Sequence, residues 1–292
     1  MKKVTKAVIP CAGFGTRFLP ITKSVPKEML PIVDTPSLDI IVDECINSGI
    51  TDILIVLGKN KKCIEDFYDY APELEKILSK GNKSGKIKVI NALADKANFY
   101  YCRQKEMNGS AMAVLAAESF VGNDPFAVVY GDDIVFNGKD RPAIGQLIDA
   151  YYTTGKSILG VQEVEKSEAI KYGAVIKGQE KGRYCEMKGV IEKPKLEELP
   201  STLVSLGRYV LTPDVFDYIR STQPTPCGEV YLTDTINMMA KSVGVFAYNF
   251  EGKRYDTGDK LGYVQANIEY GLRHDEIGKD LAEYIKKLAK EL

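Results

Sequence analysis

The opening of the chain constrains its fold more than any other stretch. An apolar, β-prone run from Val4 to Pro10 leads into a long loop punctuated by glycine and proline. From Ser37 the pattern LDIIVDECINSG then sets Leu38, Ile41, Val42, Cys45 and Ile46 on one helical face, with Gly49 as a natural stop. ITDILIVLG follows as an almost unbroken apolar run of strand length, the pattern of a strand covered by helices on both faces. Strand, helix, strand in this order predicts a right-handed βαβ unit.

The alternation continues. A charged helical stretch from Asn60 to Lys80 precedes the turn GNKSGK, the strand KIKVI and the aromatic run NFYYCRQ; Ala111 to Phe120 reads as helix and PFAVVYGDD as a buried strand. Between Ser157 and Tyr209 the segments SILGVQEV, YGAVIK, RYCEMKGV and STLVSLGRYVL read as short strands, an inserted antiparallel region. Helix returns at DVFDYIRS and EVYLTDTINMMAKS, strand at VGVFAYNF, and the tail from Lys260 to Leu292 is helical, ending in the amphipathic EYIKKLAKEL. With no repeats and no flexible linker, the expectation is one α/β domain over residues 1–292 with an inserted subregion.

Composition narrows the function. The 39 Lys and Arg balance 40 Asp and Glu, so no global field favours nucleic acid or a membrane surface. The start MKKVTKAVIPC is too short and too soon interrupted for a signal peptide or a membrane span, and the six cysteines, scattered singly, read as free thiols; both point to a cytoplasmic protein. Only His274 is present, in the solvated GLRHDEIG, so chemistry in this chain has to proceed without a histidine triad or a multi-histidine metal site.

Three constellations carry possible chemistry. In Ala12-Gly13-Phe14-Gly15-Thr16-Arg17, two glycines allow close approach of backbone amides to phosphate, and Arg17, Lys23 and Lys27 put three cations on one loop. The stretch lacks the third glycine of the dinucleotide fingerprint and the G-K-[ST] of a P-loop. Gly131-Asp132-Asp133 ends a buried strand, where a carboxylate is placed to hold Mg²⁺ or simply to form a turn, and Asp256 in RYDTGDK is a further acidic candidate. Glu192-Lys193-Pro194 combines a hydroxyl acceptor with a phosphate partner, or is a surface ion pair. Together these suit phosphoryl or nucleotidyl transfer, which needs charge neutralisation and in-line positioning.

The sequence resembles the bacterial UTP:glucose-1-phosphate uridylyltransferases over nearly its whole length. The resemblance rests on VIPCAGFGTRFLPITKSVPKEMLPIVDTP (Val8 to Pro36), GDD, VIEKPK (Val190 to Lys195), GRYVL, GEVYLTDTI and DTGDKLGYVQANIEYGLRH (Asp256 to His274). It implies a Rossmann-like mixed, mostly parallel sheet flanked by helices, with a nucleotide-binding half over about 1–135, a sugar-binding half over about 136–255 and a helical part over about 256–292. The implied reaction is uridylyl transfer from UTP to glucose 1-phosphate with Mg²⁺. A thymidylyl- or cytidylyltransferase of the same superfamily and a catalytically silent nucleotide-sugar sensor are the rival readings. The implied roles are catalysis for Arg17 and Lys27, nucleotide binding for Ala12, Gly13, Gly15, Thr16, Glu28, Gln104 and Gly109, sugar-phosphate binding for Gly173, Glu192, Lys193 and Gly207, and metal binding for Asp132 and Asp256. No nucleic-acid or membrane partner is implied, and a homo-oligomer, dimer or tetramer, is. The chain departs from the family between Asn91 and Ala113, carrying Asn108-Gly109-Ser110-Ala111-Met112 where relatives have G-L-G-H-A.

Overall fold

Ala7, Val8, Ile9 and Cys11 are sealed from solvent in β1 (Lys6–Cys11), as an apolar run at the centre of a covered sheet requires. The computed structural model describes residues 1–80 and 84–291. After β1 come two short strands, β2 (Pro31–Ile32) and β3 (Thr35–Pro36), then β4 (Asp52–Leu57), β5 (Asn98–Arg103), β6 (Phe126–Val129) and β7 (Asp133–Phe136). The rest are β8 (Ser157–Glu163), β9 (Gly173–Lys181), β10 (Tyr184–Glu192), β11 (Leu203–Leu211), β12 (Val245–Asn249) and β13 (Lys253–Asp256).

One nine-stranded sheet runs β5-β4-β1-β6-β11-β8-β12-β10-β9. Its first four strands are parallel, with Lys6 opposite Asp52 and Cys11 opposite Leu57; β12 and β8 are also parallel, and the remaining neighbours are antiparallel. The sheet is therefore mixed, as expected, and its antiparallel strands extend the central sheet instead of forming a separate one. Helices cover both faces. Leu38, Ile41, Val42 and Cys45 of the helix Ser37–Ile46 pack with Leu147 and Ile148 on one side. Val114, Phe216, Ile236 and Met239 lie in the core on the other.

KIKVI is not a strand. It lies in the helix Ser84–Ala94, where Ile87, Ile90 and Ala94 recur at helical spacing and are half-buried. The aromatic run NFYYCRQ supplies the edge strand β5 beside β4, so the sheet position open at that edge is already filled. The turn expected at GNKSGK falls partly outside the described residues. The tail forms two helices, Lys260–Arg273 and Gly278–Leu288. No helix is long and apolar enough to cross a membrane among the described residues. All six cysteines are free, Cys11, Cys45 and Cys185 buried and Cys63 and Cys227 exposed.

Candidate active site

The carboxyl ends of β1 and β6 meet at a point where a side chain on Gly131 would be crowded. A Cβ on Gly131 would stand 2.8 Å from Cys11 Sγ and 3.2 Å from Glu28 Cγ, so its absence lets the Asp132 turn settle against the loop that follows β1. Within that loop Gly15 adopts φ 65°, a left-handed conformation, and its carbonyl accepts a 2.8 Å bond from the Thr22 hydroxyl. The turn aims Lys27 at Asp132, with which it forms an ion pair.

A cavity of about 460 Å³ opens over this loop, lined by Ala12, Gly13, Gly15, Thr16, Gln104 and Gly109, all expected at the nucleotide, and by Lys27, expected in catalysis. Gln104 is held by its own loop, its amide nitrogen donating to Gly109 O at 3.1 Å and Asn108 Oδ1 at 3.3 Å. Those two acceptors fix the orientation of the amide and leave its carbonyl oxygen as the group offered outward. The unusual Asn108–Ser110 stretch is zipped to the segment around Val230. Val230 N donates to Asn108 O at 2.8 Å, Ala111 N to Val230 O at 3.0 Å, and Leu232 N to Ser110 Oγ at 3.0 Å. A Cβ on Gly109 would fall 2.3 Å from Val230 O, so no other residue fits there.

A second cavity of about 350 Å³ adjoins the first. Arg17, Asp132, Gly173, Glu192, Lys193, Gly207 and Asp256 line it, and Gly109, Ser110, Tyr130, Asp132 and Glu229 line both. Glu192 ends β10 directly opposite Gly173 of β9, and burial raises its carboxyl above the ordinary glutamate value. Lys193 follows in the left-handed region at φ 45°, its ammonium 5.6 Å from the centre of the Tyr231 ring.

Asp132 and Asp256 come together through a two-stranded ladder in which β13 pairs antiparallel with β7, Asp256 opposite Asp133. Thr257 Oγ1 donates to Asp132 O at 2.8 Å. A Cβ on Gly258 would lie 2.8 Å from Asp132 Oδ2 and 3.1 Å from Asp256 Oδ1, so the two carboxylates flank the same bare Cα. Burial alone would raise Asp132, but the Lys27 ammonium outweighs it and holds the carboxyl below the ordinary aspartate value. Burial works to lower Lys27, and the Asp132 and Glu28 carboxylates outweigh it in turn. Among the described residues no group of three or more His, Cys, Asp or Glu side chains is arranged around one point. Two carboxylates are nonetheless what Mg²⁺ asks of a protein when phosphates and water fill its other positions.

Two expectations shift. Glu28 is not on the wall of either cavity: it is buried beneath the loop against Lys61. The three cations of the loop do not gather either. Lys23 is exposed and off both cavity walls, while Arg17 Nη1 donates to Gly258 O at 3.3 Å. Other wall residues are Tyr130, Tyr172 and Arg254, which no sequence motif marked, and Glu229 and Tyr231, which stand in GEVYLTDTI with no role expected of them. Strand alternation could have found Arg254, two residues before Asp256 and therefore on the same face of β13.

The sequence model described as nucleotidyl transferase matches residues 6–271. The chain belongs to that family. Among curated relatives of this nucleotidyl transferase, UTP--glucose-1-phosphate uridylyltransferase 2 of Staphylococcus saprophyticus is 49% identical over 288 residues, 99% of each chain. Its fold is also that of solved structures. A UDP-glucose pyrophosphorylase complexed with UDP-glucose superposes with a TM-score of 0.85 at 38% identity, covering 93% of this chain and all of that one. The UTP-bound enzyme of Acinetobacter baumannii reaches a TM-score of 0.91 at 35% identity, covering 98% and 99%.

Proposed function

We infer that this nucleotidyl transferase joins UTP and glucose 1-phosphate to give UDP-glucose and pyrophosphate. The observation that supports the reading is that Asp132 stands in the wall of two adjoining cavities, which we assign to the nucleotide and to the sugar phosphate. The names of its close relatives agree.

The nucleotide occupies the cavity over Ala12–Thr16, its base against Gly109 and the carbonyl of Gln104. Uracil and thymine carry an N3–H that this carbonyl can accept; cytosine presents an acceptor there and leaves both groups unpaired, a cost of about 1–3 kcal/mol or more. Glu192 takes hydrogen bonds from sugar hydroxyls beside Gly173 and Gly207, and Lys193 meets the sugar phosphate. That phosphate is already ionised, so it attacks the α-phosphorus in line without a histidine base. Lys27 and Arg17 neutralise the charge that develops on the departing pyrophosphate. Asp132 and Asp256 are the residues that would hold Mg²⁺, whose contribution when bound is to offset phosphate charge. The reading includes a cytoplasmic homo-oligomer, dimer or tetramer, in keeping with the free thiols and with the exposed Val264, Ile268 and Tyr284 of the two last helices.

The test is pyrophosphate release with glucose 1-phosphate and each of UTP, dTTP and CTP. UTP should lead in kcat/KM, with dTTP a detectable second because a methyl group is penalised by only ~1–3 kcal/mol. CTP should be nearly inert. A lead for dTTP or CTP overturns the uridylyl assignment, and no turnover with any of them favours the sensor.

A further inference from the structure

Arg254 reaches three groups at once. Its Nε lies 2.8 and 2.9 Å from the two carboxylate oxygens of Asp133, its Nη1 donates to the Tyr172 hydroxyl at 2.9 Å, and its Nη2 lies 3.5 Å from Asp256 Oδ2. The guanidinium carbon stands 4.6 Å from the centre of the Tyr172 ring. Arginine has no acceptor, so the Tyr172 oxygen must accept from it. The single proton of that hydroxyl is then directed to Asp256 Oδ2, 3.1 Å away. Asp256 Oδ1 is left with the Gly258 N–H at 3.0 Å and faces the gap it shares with Asp132. The same tyrosine holds the sugar side by its backbone: its carbonyl accepts from Lys193 N at 3.1 Å, where Lys193 takes its left-handed turn.

We propose that Arg254 and Tyr172 are positioning residues that fix which oxygen of Asp256 faces a divalent cation. An ion pair that merely pinned β13 to β7 would be complete with Asp133 alone, because the strand ladder already sets that register. The extension of the guanidinium over Tyr172, and the forced direction of the hydroxyl proton, serve Asp256 instead. Tyr172 thereby ties the metal carboxylate to Lys193, so that the two phosphates to be joined are held from one side chain and its own backbone. This inference rests on the metal and substrate assignment proposed above.

The test is Mn²⁺ binding to the full chain with UDP-glucose present, followed by the electron paramagnetic resonance signal of free Mn²⁺. Tyr172→Phe deletes one oxygen and should weaken Mn²⁺ on the order of tenfold, the usual cost of losing an outer partner of a metal ligand. Arg254→Ala should weaken it similarly, and Arg254→Lys should restore part of the loss. In kinetics the same variants should lower kcat at saturating sugar phosphate while leaving KM for UTP little changed. Mn²⁺ affinity within about twofold of wild type in folded Tyr172→Phe overturns the proposal. If Arg254→Ala fails to fold, Tyr172→Phe decides alone. Wild-type turnover of UTP with glucose 1-phosphate is measured alongside, so an inactive wild type identifies failure of the functional reading and not of this one.

Discussion

Lys61 Nζ lies 2.9 Å from Glu28 Oε1 and 2.8 Å from Oε2, with the two side chains 7% and 1% exposed. The pair sits beneath the loop that carries Lys27, and Glu28 O also accepts from the Ser37 hydroxyl at 3.1 Å. It supports that loop from below, and the first expectation follows from how such pairs fail. Lys61→Met strands a buried carboxylate and should cost about 3–5 kcal/mol, whereas Lys61→Met with Glu28→Gln should recover much of that. Urea unfolding midpoints of the two variants check it; equal losses would mean that the pair is not coupled.

The same carboxyl sets a pH dependence. Burial pushes Glu28 above the ordinary glutamate value, and Lys61 and Lys27 only partly offset it. With the folded value raised, the folded state keeps a proton that the unfolded chain has already released. The contribution of this group is therefore full below the unfolded glutamate range and is lost as pH rises through the folded value. Urea titrations from about pH 4 to pH 8 should show the advantage of wild type over Glu28→Gln shrinking as pH rises. A growing advantage would contradict the sign.

For the proposed reaction, Lys27 carries the prediction that bears most on turnover. It is a preorganised cation already paired with Asp132, so Lys27→Ala should lower kcat on the order of a hundredfold or more. Its melting temperature should fall much less than that of Lys61→Met, because Lys27 and Asp132 are 20% and 30% exposed at the cavity, where water solvates the carboxylate left behind. Steady-state kinetics with thermal unfolding on the same sample separates the two effects, and near-normal kcat would remove Lys27 from the mechanism.

At the proposed sugar site, Glu192 and Lys193 should separate by substrate. A carboxylate that reads hydroxyl positions discriminates epimers, while an ammonium that reads the phosphate does not. Glu192→Ala should thus lose preference for glucose over galactose 1-phosphate, and Lys193→Ala should weaken both alike. Comparing kcat/KM for the two sugars in both variants decides it. Equal losses in every case would leave the turn a structural one.

The sequence by itself determined whatever depends on short-range pattern. The buried run at β1, the amphipathic helix after it and the second run at β4 read as a covered parallel sheet, and two glycines with Arg17 and Lys27 on the loop after β1 marked it as a candidate for anion binding. KIKVI went to helix because β5 already occupied the sheet edge, a competition between segments that no local window contains. Tertiary structure alone decided the long-range matters. Asp132 and Asp256 share one gap because β7 and β13 pair and Gly258 has no side chain. Glu28 meets Lys61 and not the cavity because successive side chains of a 3-10 turn point about 120° apart, which sends Lys27 to the cavity and Glu28 to the interior. Arg254 and Tyr172 lie 82 residues apart and meet only when packing brings the β13–β7 ladder against the turn before β9. Periodicity is written in neighbouring residues; the meeting of charges across a sheet is set by register and packing, which the whole chain fixes at once.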